Sequence, residues 1–253
     1  MKSCVVIPAR FASTRLPGKM LLAETGRPLV QHTYEAACGA AKPSAVFVAT
    51  DHPEIRQAVE AAGGTAVETS PDCASGTDRV AEVARQRPEF DIVVNLQGDE
   101  PELDPAAIDQ VIALLERRPD AAMATLATPI LDPRRVADPS NVKVVFDAAG
   151  RALYFSRSPI PYIRDTLRHG LSGAPIKRFQ HIGLYAYRRE FLLKLAAMPP
   201  SPLEQAEKLE QLRVLEAGEA ILVGQVASAA PGIDTPADYQ AFVDRWRSLR
   251  RAA

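Results

Sequence analysis

The chain has 253 residues, 47% hydrophobic and 24% charged, with a formal net charge of -1, a profile that suits a globular protein with one sizeable core. Near-neutrality excludes the broad basic surface that nonspecific nucleic-acid binding needs, and no apolar run approaches the roughly 18 residues of a membrane span. Cys4, Cys38 and Cys73 are odd in number and lack metal or disulfide spacing; with no leader-like N-terminal segment, they predict a cytoplasmic protein in a reducing compartment.

In chain order, the first element is a β-branched run, Cys4 to Ile7, which Pro8 ends. It reads as a buried strand. The segment that leaves it, "ARFASTRLPGK", carries Arg10, Arg15 and Lys19 among Ser13, Thr14 and Gly18. In parallel α/β sheets ligands sit at the carboxyl edge of the strands, and cations beside small residues with free backbone N–H groups suit a polyphosphate. A solvated surface loop is the alternative. Ala45 to Ala49 and Ile92 to Leu96 are further strand-like runs with helical patterns between them, so the expected fold is α/β, with a mainly parallel Rossmann-like sheet.

After "LDP", Asp104 is placed to cap a helix with Pro105 in its first turn and Ile108, Val111, Ile112 and Leu115 on one face. From about 142 to 187 the pattern changes to short β-rich pieces, "VKVVF", "ALYFS" and "HIGLYAYR". They predict a smaller antiparallel extension inserted in, or laid against, the sheet; the two-glycine loop from Arg164 to Pro175 is expected to move. Ser201, Pro202 and Glu204 form a capping-box pattern, and Gly218 suits the end of the same helix. Thr235 and Pro236 open a last helix with the stripe Tyr239, Phe242, Val243, Trp246 and Leu249. Nothing resembling a linker divides residues 1–253, which predicts one domain.

Several polar groups fall at strand ends. "IVVNLQGDEP" delivers Gln97, Asp99 and Glu100 to the edge that also carries the basic loop. Asp99 there suits Mg²⁺, which takes carboxylate and phosphate oxygens; a turn-capping role before Pro101 fits equally. Asp234 in "PGIDTPADY" has the same two readings, helix start or second metal ligand. Thr50, Asp51, Thr77, Asp78 and Arg79 are placed to face a nucleobase or ribose, or else to serve as turn and cap residues. His181 lies in a β-like run with Tyr185 and Tyr187, where a satisfied half-buried histidine competes with a place in an acidic-sugar pocket lined by Arg157 and Arg164. Glu210 and Gln211 are hydroxyl ligands or a solvated face.

"IPARFASTRLPGKML", "ATDHPEI", "SGTDRVAEV", "VNLQGDEP", "LYFSRSPIPY", "HIGLYAYR", "PLEQAEKLEQLRVLEAGEAI" and "GIDTPADY" occur in one order across nearly the whole chain. Together they closely resemble the 3-deoxy-manno-octulosonate cytidylyltransferases, or CMP-Kdo synthetases. The resemblance implies a fold of the nucleotide-diphospho-sugar transferase type, a Mg²⁺ cofactor, a homodimer, for which the β-rich segment offers a surface, and a cytoplasmic reaction of CTP with Kdo giving CMP-Kdo and pyrophosphate for lipopolysaccharide synthesis. By position, it assigns Arg10, Ser13, Arg15, Lys19, Thr50, Asp51, Ser75 and Arg79 to CTP. Asp99 and Asp234 become metal ligands, catalytic together with Lys19. Gln97, Arg157, Arg164, His181, Tyr185, Glu210 and Gln211 become the sugar side. Met20 stands where the family commonly has Pro after "LPGK", which leaves the charge of Lys19 unchanged and bears on the stiffness of the loop.

Overall fold

In β1 (Ser3–Pro8) both faces are covered, which is why the strand is apolar from Cys4 to Ile7 instead of alternating. Cys4 and Val6 point into one core layer, Val5 and Ile7 into the other. The computed structural model describes residues 1–13, 15–164 and 177–252. The remaining strands are β2 (Ala45–Thr50), β3 (Ala66–Glu68), β4 (Ile92–Asn95), β5 (Met123–Pro129), β6 (Lys143–Phe146), β7 (Ala152–Ser156), β8 (Phe179–Arg188) and β9 (Ile221–Gln225). The helices are α1 (Leu29–Cys38), α2 (Pro53–Ala61), α3 (Gly76–Gln86), α4 (Pro105–Arg117), α5 (Pro133–Ala137), α6 (Arg189–Ala197), α7 (Pro202–Glu207), α8 (Gln211–Glu216) and α9 (Pro236–Ala252).

The sheet runs β3-β2-β1-β4-β8-β5-β9. β1, β2, β3 and β4 are mutually parallel, β9 is parallel to β5, and β8 alone runs antiparallel between β4 and β5. The fold is α/β, mostly parallel, with antiparallel strands, as the sequence predicts. β8 is the inserted strand, and β6 and β7 form the extension, β6 pairing with both β7 and β8. Helices α1, α2 and α4 cover one face; α3, α6 and α8 cover the other. Asp104 caps α4 by accepting from the Ala106 N–H at 2.9 Å, and Ile108, Val111, Ile112 and Leu115 are fully buried, each contributing about 1.5–3 kcal/mol of apolar burial.

Two expectations change. The single helix expected from Ser201 to Gly218 is broken: Lys208 adopts φ 54°, ending α7 and turning the chain into α8. No Gly or Pro announces the break. Leu209, Leu212 and Val214 bury themselves in the core after the turn, and that burial is what a straight amphipathic helix would forgo. The stripe on α9 is also shorter than predicted, since Tyr239, Phe242 and Val243 are buried but Leu249 is 66% exposed.

The ends of β1 and β4 approach closely at Gly98, where a Cβ would lie 2.9 Å from Met20 Sδ and 3.2 Å from the Pro8 carbonyl oxygen. A side chain here would have to push Met20 aside and shift the Pro8 carbonyl by a few tenths of an ångström, a crowding that glycine avoids. Gly98→Val should therefore destabilise the protein by about 2 kcal/mol through overpacking, measured as a lowered urea midpoint; an unchanged midpoint would show that the two strand ends are not held in contact.

Candidate active site

Strand order reverses between β1 and β4, where β2 and β3 lie to one side and the later strands to the other. At such a switch point the loops leave in opposite directions and open a crevice. Two adjoining clefts occupy it, sharing Pro8, Arg10 and Gln97. One, of about 280 Å³, is lined by Arg10, Ser13, Arg15, Lys19, Gln97, Asp99 and Asp234 among others. Thr14 of the same loop lies outside the described residues.

Gly18, at φ 64°, opens the single 3-10 turn of Lys19–Leu21 and delivers Lys19 into this cleft. Its ammonium donates to Asp99 Oδ2 at 2.5 Å and to the Ile233 carbonyl at 2.9 Å, and stands 3.5 Å from Asp234 Oδ1. Arg15 reaches Asp234 Oδ1 at 2.9 Å. The Lys19 side chain is only 11% exposed and that of Arg15 66%. Breaking a buried pair costs several kcal/mol, whereas an exposed one contributes about 0–1 kcal/mol. Lys19 is thus anchored, and Arg15 is free to turn toward a ligand.

Neither aspartate serves the capping role the sequence left open. At the start of α9, Asp238 accepts from the Thr235 N–H at 2.8 Å and Thr235 Oγ1 accepts from the Asp238 N–H at 3.2 Å, so the cap is complete without Asp234. Asp99 turns its carboxylate to Lys19. Its carbonyl accepts from the Ile233 N–H at 2.9 Å, which joins the two acidic segments directly. Two carboxylates converging on one cation fit an ion that takes carboxylate oxygens together with substrate oxygens and water, as Mg²⁺ does.

The second cleft, of about 230 Å³, is lined by Arg10, Cys73, Ser75, Gly76, Arg79 and Gln97 among others. Buried Arg79 is held by Asp51 at 2.9 Å and by Thr69 Oγ1 at 2.5 Å. Thr50 Oγ1 accepts from the His52 N–H. Ser75 is the N-cap of α3 in a reciprocal box with Asp78. The turn and cap readings therefore hold for Thr50 and Asp78; Asp51 instead pairs with Arg79 and Thr77 donates to Glu210, and Ser75, a cap the sequence reading did not name, faces the cleft together with Arg79.

On β8, His181, Tyr185 and Tyr187 form one aromatic row, with centroid separations of 5.4 and 6.0 Å. The row exists because β8 bulges: Thr125 pairs with Tyr185 but Leu126 with Ile182. Thr125 Oγ1 lies 3.0 Å from the Ile182 carbonyl, 2.9 Å from the Leu184 carbonyl and 2.9 Å from His181 Nε2. A hydroxyl has one proton, and it goes to these bulge carbonyls. His181 Nε2 then carries the hydrogen and donates to Thr125, leaving Nδ1 as an acceptor. Burial pushes the His181 imidazole down to about 3, so it is neutral. Nothing in the sequence singles out Thr125, a mid-strand residue in an apolar run.

Across from this row, Glu210 accepts from Thr77 Oγ1, and burial raises its acid above the usual range. Tyr185 OH is 3.5 Å from Gln211 Oε1. Gln211 Nε2 is buried without a hydrogen-bond partner among the described residues, a donor whose desolvation costs about 1–3 kcal/mol unless a ligand or water satisfies it. Glu100, which the sequence places at the same edge as Gln97 and Asp99 without a role of its own, lies against Gly183 of β8; burial and then the Asp99 charge push its acid up to about 8. Arg157 points elsewhere: its guanidinium donates to main-chain oxygens of Glu207, Pro139 and Lys208. Arg164 is exposed, and residues 165–175 of its loop lie outside the described residues.

The family profile described as cytidylyltransferase matches residues 4–221. The chain belongs to the cytidylyltransferase family. It is 52% identical over 249 residues to a 3-deoxy-manno-octulosonate cytidylyltransferase of Rhodopirellula baltica, covering 98% of this chain and 100% of that one. It is 46% identical over 241 residues to an 8-amino-3,8-dideoxy-manno-octulosonate cytidylyltransferase of Shewanella frigidimarina, covering 94% and 96%. Among solved structures, a CMP:2-keto-3-deoxy-manno-octonic acid synthetase complexed with CTP superposes with a TM-score of 0.92 at 44% identity, over 98% of this chain and 100% of that one.

A neutral, buried His181 links stability to pH. Its folded value, about 3, lies below the 6.5 of the unfolded chain, so its contribution is whole above pH 6.5 and is lost as pH falls toward 3, by up to about 1.4 kcal/mol per pH unit. His181→Gln should lose less stability than wild type between pH 6.5 and 4.5 in urea titrations; parallel losses would place the histidine in water.

Proposed function

We infer that the chain is a cytidylyltransferase that transfers CMP from CTP to Kdo, releasing pyrophosphate and yielding the activated sugar for lipopolysaccharide synthesis. The observation that carries this reading is the meeting of Asp99 and Asp234 on Lys19 beside Arg10 and Arg15, at the sheet's switch point. Full-length similarity to relatives named for this reaction supports it.

In this reading the anomeric hydroxyl oxygen attacks the α-phosphorus, the bond to the bridging oxygen of pyrophosphate breaks, and the hydroxyl proton is lost. Asp99 and Asp234 are the residues that would hold Mg²⁺, which supplies orientation and polarisation of the α-phosphate. Arg10, Arg15 and Lys19 offset the charge that builds on the leaving pyrophosphate. Ser13 lies beside them, and Thr50, Asp51, Ser75 and Arg79 hold the nucleoside. Gln97, His181, Tyr185, Glu210 and Gln211 bind the sugar, with Nδ1 of His181 accepting from a hydroxyl and Gln211 Nε2 donating. Arg164, exposed in the β-rich segment, would answer the sugar carboxylate, whereas the Arg157 guanidinium is taken up by the main-chain oxygens of Glu207, Pro139 and Lys208. Displacement is direct: the Cys73 thiol is pushed up to about 11 by burial and the Glu82 hydrogen bond, and Ser75 is held in its cap, so neither is an activated nucleophile.

With Mg²⁺, Kdo and each ribonucleoside triphosphate in turn, pyrophosphate should appear only with CTP. Asp99→Asn should slow turnover by about a hundredfold, some 3 kcal/mol of barrier; wild-type rates at saturating Mg²⁺ would remove Asp99 from the reaction. Faster turnover with the 8-amino acceptor than with Kdo would reassign the sugar. We further infer a cytoplasmic homodimer whose contact is the 142–187 segment, where Leu153 and Tyr162 are 61% and 86% exposed. Sedimentation should give a dimer mass for wild type and a monomer for Leu153→Glu; a wild-type monomer overturns it.

A further inference from the structure

We propose that Glu207 is a positioning residue for the sugar side of the site: it ties the α7–α8 corner to the end of β7 and thereby sets Glu210 and Gln211 opposite Tyr185. This rests on the reading of Glu210 and Gln211 as sugar ligands.

Glu207 is the last residue of α7, one position before Lys208 turns the chain. Both its carboxylate oxygens are engaged. Oε1 accepts from Ser156 Oγ at 2.6 Å and Oε2 from the Arg157 N–H at 2.9 Å. Its main-chain carbonyl accepts from Arg157 Nε at 2.7 Å, and the Lys208 carbonyl lies 3.4 Å from another guanidinium nitrogen. The β7 side of the joint is fixed in turn. Lys143, fully buried, donates to the Arg157 and Asp138 carbonyls, and Ser156 Oγ accepts from the Ser158 N–H at 3.0 Å.

The corner has a separate internal tie. Arg213 of α8 forms a two-pronged pair with Glu204 of α7 at 2.5 and 2.7 Å. That pair sets the angle between the helices but does not join them to the sheet. Glu207 makes the joint to β7, and Glu210 and Gln211 follow it by three and four residues. Phe155, beside Ser156, packs edge-on against His181 at 4.9 Å, so one strand end carries both the His181 wall and the Glu207 clamp. Charge-assisted bonds of this kind are the stronger class, and a shift of the corner by a fraction of an ångström is enough to misplace polar ligands of a sugar.

The test compares Glu207→Ala and Glu207→Gln with wild type. Hydrogen exchange at the amides of residues 208–212 reads the clamp without substrate; Glu207→Ala should exchange there about tenfold faster, with the amides of β1 and β4 unchanged. In the pyrophosphate assay KM for Kdo should rise about tenfold and KM for CTP should stay within about twofold. Glu207→Gln keeps one carbonyl acceptor and should recover part of both effects. Unchanged exchange at 208–212, or equal increases in both KM values, overturns the proposal. Wild-type protein that turns over CTP with an acceptor other than Kdo rejects the sugar assignment alone, and the same comparison with that acceptor decides the clamp; wild type inert with both acceptors but clamped by exchange overturns the role of Glu207 at a sugar site.

Discussion

An ammonium ion between two carboxylates organises this protein. Lys19 comes from the loop after β1, Asp99 from the loop after β4 and Asp234 from the approach to α9, so one cation gathers three distant segments. Without it the two negative charges would repel across a partly desolvated crevice. The Ile233 carbonyl completes the grip on Lys19, and the Ile233 N–H closes the same loop onto Asp99. The rest of the molecule can be understood as what it takes to bring these ends together: parallel strands that finish at one edge, and Gly98 where the edge is too crowded for a side chain.

β8 extends that logic to the proposed sugar side. Running against its neighbours between β4 and β5, it delivers residues near the middle of its length to the edge where β4 ends. The bulge at Gly183 and Leu184 then sets His181 and Tyr185 in one row, and Thr125 fastens the bulge by meeting both its carbonyls. The Thr125 contact fixes the tautomer of His181, with the hydrogen on Nε2, and burial keeps the ring neutral by disfavouring a second proton.

The α7–α8 corner shows the opposite case, where local pattern misleads. Ser201 and Glu204 do form the capping box that the sequence announces, yet the helix stops after Glu207 at a lysine in left-handed backbone. Burying Leu209 and Leu212 against the sheet outweighs the local cost of about 1 kcal/mol for such a conformation. Helical periodicity continues through the break, so it leaves no mark on the chain.

By itself the sequence determined the parallel α/β character, the caps of α4 and α9, and the strand ends where Arg10, Lys19 and Asp99 emerge, since these depend on local periodicity and on which residue types tolerate a turn. The family likeness named the remaining site residues but not their surroundings. Only the tertiary structure decided that Asp234 turns from its helix cap to Lys19, that Arg157 grips the α7–α8 corner, that Ser75 is occupied as a cap, and that Thr125, Lys143 and Glu207 support the site. Each of these depends on contacts between residues far apart in the chain, and neither composition nor spacing carries a record of which buried donor meets which acceptor.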